Sequence, residues 1–107
     1  MQKQAVGGKC RIECDVDLDG RITAVSPIIE QTTGYKAEEL IGMPFVALVH
    51  FQDLALVKES WQLALKGEEG SCRIRLTGKY GDVKRVLSSS RPRFDNGRPI
   101  GLTAVMS

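Results

Sequence analysis

Side chains able to do chemistry are few and scattered along this 107-residue chain. It has one histidine, His50, and three cysteines, Cys10, Cys14 and Cys72. Cys10 and Cys14 fall on the same face of one expected strand, which is the wrong geometry for a metal knuckle. Buried, reduced thiols explain them better. No nucleophile stands beside a base, no Gly-rich loop offers a phosphate cradle, and no metal ligands cluster, so an enzyme is not expected. Glu38-Glu39 pairs two carboxylates on a short helix, and surface solvation accounts for it.

Ser88-Ser89-Ser90 carries more. Successive side chains of a strand alternate faces, so a register with Val86 inward brings Ser88 and Ser90 in together. Each buried hydroxyl then needs a backbone, water or ligand partner, because an unpartnered one is costly. An edge or solvent position is the equal alternative. Arg73 and Arg75 would anchor an anion if they turned inward. Their alternation groups them with Thr77, opposite Cys72, Ile74 and Leu76, on a solvated or partner-facing side. Trp61 lies on a helical apolar stripe, the place of a core residue rather than a cofactor stacker.

The elements that hold these residues follow from periodicity. Cys10, Ile12, Cys14 and Val16 alternate with polar residues as a half-buried strand. Asp17-Leu18-Asp19-Gly20 turns the chain into a second strand, Arg21 to Val25. Ser26 and Pro27 are placed to cap and open a first short helix that Gly34 ends; Gly42 ends a second. Helices this short persist only when pressed on something larger, so a sheet is implied. Pro44 to Val49 is apolar enough to require burial. A long helix is predicted from about Gln52 to Lys66, with Asp53 as its cap and Leu54, Val57, Trp61, Ala64 and Leu65 on its buried stripe. Three strands joined by hairpins at residues 78–82 and 95–97 complete the chain. The expectation is an α+β fold, a five-stranded antiparallel sheet with short helices and one longer helix packed on one face.

Size and composition allow one domain with a real core. A net charge of +2 with no Lys/Arg run argues against nucleic acid. No apolar stretch reaches membrane-span length and no signal peptide is visible, so membrane contact is not expected and a cytoplasmic location is.

Four stretches in order, Asp17 to Ile22, Gly34 to Gly42, Leu48 to Asp53 and Asp95 to Gly101, resemble the landmarks of a PAS domain, a sensor module of signalling proteins. The likeness covers about Ile12 to Met106. It implies residues 1–9 as a flexible leader and residues 10–107 as one PAS domain, cut from a larger signalling protein. The chain departs from the family's pattern at Lys36, where a capping Ser or Thr is usual, so the second short helix is expected to fray. No cofactor is expected. Covalent flavin chemistry needs a cysteine in the helical region, and Pro44 to Val49 has none. Haem needs an axial histidine, and His50 falls before the long helix, where a loop or cap contact is the simpler role.

The resemblance implies a ligand space between sheet and helices. Its candidate lining is Ile29, Tyr35, Leu40, Phe45, Leu48, Trp61, Ile74, Ser88 and Ser90, with coupling near Val105 and Met106. The expected function is a cytosolic PAS sensor domain that senses a small ligand or relays a conformational signal to a C-terminal output such as a histidine kinase or cyclase. The alternative is a ligand-free homodimerisation or adaptor module with a self-packed core. Val105 and Leu87 should leave apolar surface on the outer sheet face, a contact for a homodimer.

Overall fold

A computed structural model describes residues 11–107. The expected leader and Cys10 lie outside the described residues. Strand β1 (Ile12–Asp17) turns into β2 (Ile22–Val25). The turn is tied by the Asp17 carboxylate, whose Oδ1 accepts the amides of Asp19 and Arg21 at 2.9 Å each. Gly20 sits at φ 81°, and its carbonyl accepts the amide of Phe45. Helices α1 (Ile29–Thr33), α2 (Ala37–Leu40) and α3 (Leu54–Leu65) follow, with 3₁₀ turns at Phe45–Leu48 and Phe51–Asp53. Strands β3 (Gly70–Thr77), β4 (Val83–Asp95) and β5 (Arg98–Met106) complete the sheet.

The five strands run in the order β2-β1-β5-β4-β3, every neighbour antiparallel. The helical insertion is stitched to both edges of this sheet. At the β2 edge the amide of Ile22 donates to Met43, that of Gly42 to Ile22 and that of Phe45 to Gly20; at the β3 edge the amide of His50 donates to Arg75. Each edge is thus covered at that point. The inner face collects Ile12, Cys14, Val16, Ile74, Leu76, Val86, Leu102 and Met106 against Ile29, Leu40, Phe45, Leu48, Val57 and Ala64.

Several local expectations change. Ser26 does not cap α1: its hydroxyl accepts the amide of Glu13 at 3.0 Å, which ties β2's exit to β1. Gly34 ends α1 as expected, at φ 82° with its amide on Glu30. Lys36 offers no cap, since an ammonium has no acceptor. Glutamates replace it. Glu30 of α1 accepts the amide of Ala37 at 3.0 Å and Glu39 accepts that of Lys36 at 3.2 Å, so the start of α2 is held more firmly than its sequence implies. In the 45–49 segment Phe45, Leu48 and Val49 are buried, but Val46 and Ala47 face solvent because a 3₁₀ turn buries only one side. Helix α3 buries Val57, Ser60 and Ala64; Leu54 and Leu65 are exposed, so the true stripe is rotated toward a serine.

Candidate functional site

The nine candidate lining residues gather between helices and sheet. Ile29, Leu40, Phe45, Leu48, Ile74, Ser88 and Ser90 are buried, and Tyr35 and Trp61 are half-buried against the same core. The rings of Phe45 and Trp61 are tilted, with centroids 5.5 Å apart. Trp61 also covers the first hairpin, since a β-carbon on Gly20 would stand 3.3 Å from its ring.

Strand parity resolves the serine question. Ser88 and Ser90 both point inward with Val86, at 4% and 1% exposure. Across the ladder their partners are Cys72 and Gly70 on β3, and Met106 and Ala104 on β5. Helix α3 lays Ser60 over this strip: a β-carbon on Gly70 would fall 2.6 Å from Ser60 Oγ and inside the surface of its carbonyl oxygen. Glycine is therefore required there by space. Burial pushes the Cys72 thiol up, with the neighbouring Ser60 hydroxyl pulling the other way. That contact does not meet hydrogen-bond geometry, and Ser60 Oγ and Ser90 Oγ have no partner among the described residues. The result is a polar strip, Ser60, Cys72, Ser88 and Ser90, set within apolar walls. A buried hydroxyl without a partner costs about 1–3 kcal/mol, so each of the two needs a water or another polar group beside it.

Ser60 and Cys72 were not in the candidate lining. Cys72 has the right strand parity; Ser60 falls outside a stripe drawn from apolar positions alone. The available signal was the spacing Val57-Ser60-Ala64, which is helical once a serine is admitted to the buried stripe.

His50 is occupied locally. Its Nδ1 accepts the amide of Gln52 at 3.2 Å, and its ring stacks on Phe51 with centroids 4.8 Å apart. Asp53 heads α3 but does not cap it. Its carboxylate crosses to β3, where it accepts the amide of Arg75 (2.8 Å), Nε (3.0 Å) and an Nη (2.9 Å). The hydrogen bonds from Arg75 hold the Asp53 carboxyl down at about 2. A second clasp joins the β3–β4 loop to the short helices. The amide of Lys79 donates to Thr33 at 2.7 Å, its ammonium reaches Glu39 at 2.9 Å, and Tyr80 lies over Gly34.

A family model described as PAS fold matches residues 22–106. The chain belongs to the PAS family. Solved PAS structures share its architecture. A PAS domain of a protein from Colwellia psychrerythraea superposes with a TM-score of 0.83 at 20% identity, covering 97% of this chain and 92% of that one. The N-terminal domain of a diguanylate cyclase with PAS/PAC sensor from Marinobacter aquaeolei gives 0.77 at 15% identity, covering 91% and 93%. The PAS-B domain of Drosophila melanogaster Cycle, with bound ethylene glycol, gives 0.82 at 17%, covering 90% and 97%. No curated protein sequence matches this chain. At such identities the likeness carries the fold alone. The PAS assignment makes the domain a sensory module. No helix among the described residues is long and apolar enough to cross a membrane.

Proposed function

We propose that this PAS domain senses a small polar molecule held between α3 and the sheet, against Ser60, Cys72, Ser88 and Ser90. The observation that carries the reading is the pair of buried, unpartnered hydroxyls, Ser60 Oγ and Ser90 Oγ, over one strip of β3–β4. A guest with donors and acceptors would satisfy both. Apolar walls from Ile74, Leu48 and Phe45 would exclude bulk water and strengthen those bonds.

The same strip supplies a route outward. Ser88 pairs with Met106, the last residue of β5, which is fully buried, and Ser107 exchanges backbone bonds with Leu87. A guest that favours one packing of α3 on the sheet would bias the end of β5 through Met106, with Val105 on the opposite face. The output we infer is a C-terminal effector such as a histidine kinase or a cyclase; the diguanylate cyclase among the structural neighbours supports the second. Neither haem on His50 nor covalent flavin enters this reading.

A second reading, a self-packed homodimerisation or adaptor module, is favoured by the near-complete burial of Ile29, Leu40, Phe45 and Leu48 by one another. Ser90→Ala separates the two in a thermal-shift screen of small polar metabolites. A sensor gives wild-type stabilisation by some compound that the variant loses; an adaptor gives no stabilisation in either protein, and a variant simply more stable than wild type.

A further inference from the structure

The outer face of the sheet carries an open groove of about 580 Å³ along β3 and β4, whose lining includes Arg73, Arg75, Arg85, Leu87 and Ser107. Arg75 stands directly across the ladder from Arg85, and Arg73 stands across from Leu87, diagonal to Arg85. Like charges opposed in this way destabilise a sheet unless something lies between them. Of the three arginines, Arg75 alone has an ion-pair partner among the described residues, Asp53. Arg73 and Arg85 form no ion pair among the described residues, and both are exposed. Glu13, Asp15 and Asp17, the acids that β1 puts on this face, lie beyond β5, and Asp15 is engaged by Thr103 at 2.7 Å and approached by Arg93 at 3.9 Å. The carboxylate in the groove, Asp53, is spent on Arg75, so two guanidinium forks without an ion-pair partner among the described residues flank Leu87, which is 41% exposed.

We propose that this groove docks an acidic polypeptide segment of a partner protein, two carboxylates reaching Arg73 and Arg85 and an apolar side chain between them covering Leu87. Charge complementarity selects the occupant, because a planar guanidinium takes a carboxylate in a two-bonded fork and a basic or neutral segment would leave both arginines opposed. The groove is open and arginine-lined, unlike the enclosed, mostly apolar clefts that hold small molecules. It lies on the opposite face from the serine strip, so the proposal is independent of the sensed ligand.

The test uses this chain and a fluorescein-labelled peptide of alternating Glu and Leu, titrated by fluorescence anisotropy at low and high salt. Saturable binding is expected, weakening with salt and falling about tenfold or more in the Arg73→Gln/Arg85→Gln double variant. Arg91→Gln, on the same face outside the groove, should bind like wild type, and an Arg73→Lys/Arg85→Lys variant should bind with intermediate affinity because charge remains without the fork. Thermal unfolding of each variant checks that the fold persists. The proposal fails if wild type does not bind, if a Lys-for-Glu peptide binds equally, or if Arg91→Gln loses as much. It also fails if sedimentation reveals a self-associating chain whose association, rather than peptide binding, is what the double variant removes, since a second copy would then own the groove.

Discussion

Ser60 and Gly70 are in such close contact that the strand residue has no room for a methyl group. The helix carrying Ser60 therefore rests on the backbone of β3 rather than on a side chain, and that close approach lowers α3 onto the strip holding Ser90. Gly70→Ala should push the helix outward and destabilise the fold by about 1–3 kcal/mol, the usual cost of overpacking a core. Urea denaturation measures it. An unchanged midpoint would mean that α3 does not sit where the contact places it.

The Asp53–Arg75 pair gives an acid signature. Hydrogen bonding from Arg75 lowers the carboxyl from its ordinary 3.8 to about 2. The folded state holds the charged form more tightly than the unfolded chain does, so the contribution is complete above about pH 4 and is lost as pH falls toward 2. Thermal midpoints of wild type and Asp53→Asn should thus differ most above pH 4 and converge toward pH 2. A gap independent of pH would contradict the pairing.

Cys14 gives the opposite limb. Burial, and secondarily the Asp15 carboxylate, pushes its thiol from 9.0 up to about 12. Above pH 9 the unfolded chain releases a proton that the fold retains, so stability present below pH 9 is lost between 9 and about 12. Cys14→Ala should remove that part of the alkaline decline. In wild type, mass-resolved alkylation at neutral pH should modify the half-buried Cys72 well before Cys14.

Gly34 takes φ 82° under the ring of Tyr80, where an added β-carbon would stand 3.2 Å from the ring. Gly34→Ala should cost about 1 kcal/mol for the left-handed backbone, plus the displacement of Tyr80. It should loosen the 78–82 loop from α1 and α2. Hydrogen exchange would register this first at the Lys79 amide, whose bond to Thr33 closes the clasp. Equal protection in both proteins would deny the clasp a role.

How much of this was legible in the sequence depends on the range of the interaction. Period-two alternation located the strands, set Arg73 and Arg75 outward and put Ser88 and Ser90 on the face of Val86 without deciding whether that face is buried, because strand parity is a local property and burial is not. The hairpin turns were equally local, with Gly20 and the Asn96-Gly97 pair at positive φ. Contacts between distant elements were hidden. Asp53 has the place of a helix cap but spends its carboxylate on Arg75, 22 residues on. Ser26 likewise has the place of a cap but serves Glu13. Lys36 promised a frayed helix until Glu30, from the helix before it, supplied the acceptor. Ser60 was invisible because apolar periodicity gives no weight to a hydroxyl, yet it helps define the site.

The serine strip is tested most directly by mass spectrometry of small molecules released on denaturing freshly purified wild-type chain and its Ser60→Ala/Ser90→Ala variant side by side. The expected result is a small polar compound in near-stoichiometric amount from wild type, and little or none from the folded variant. Release of nothing from wild type, or of the same compound in the same amount from both, would contradict a guest held by Ser60 and Ser90.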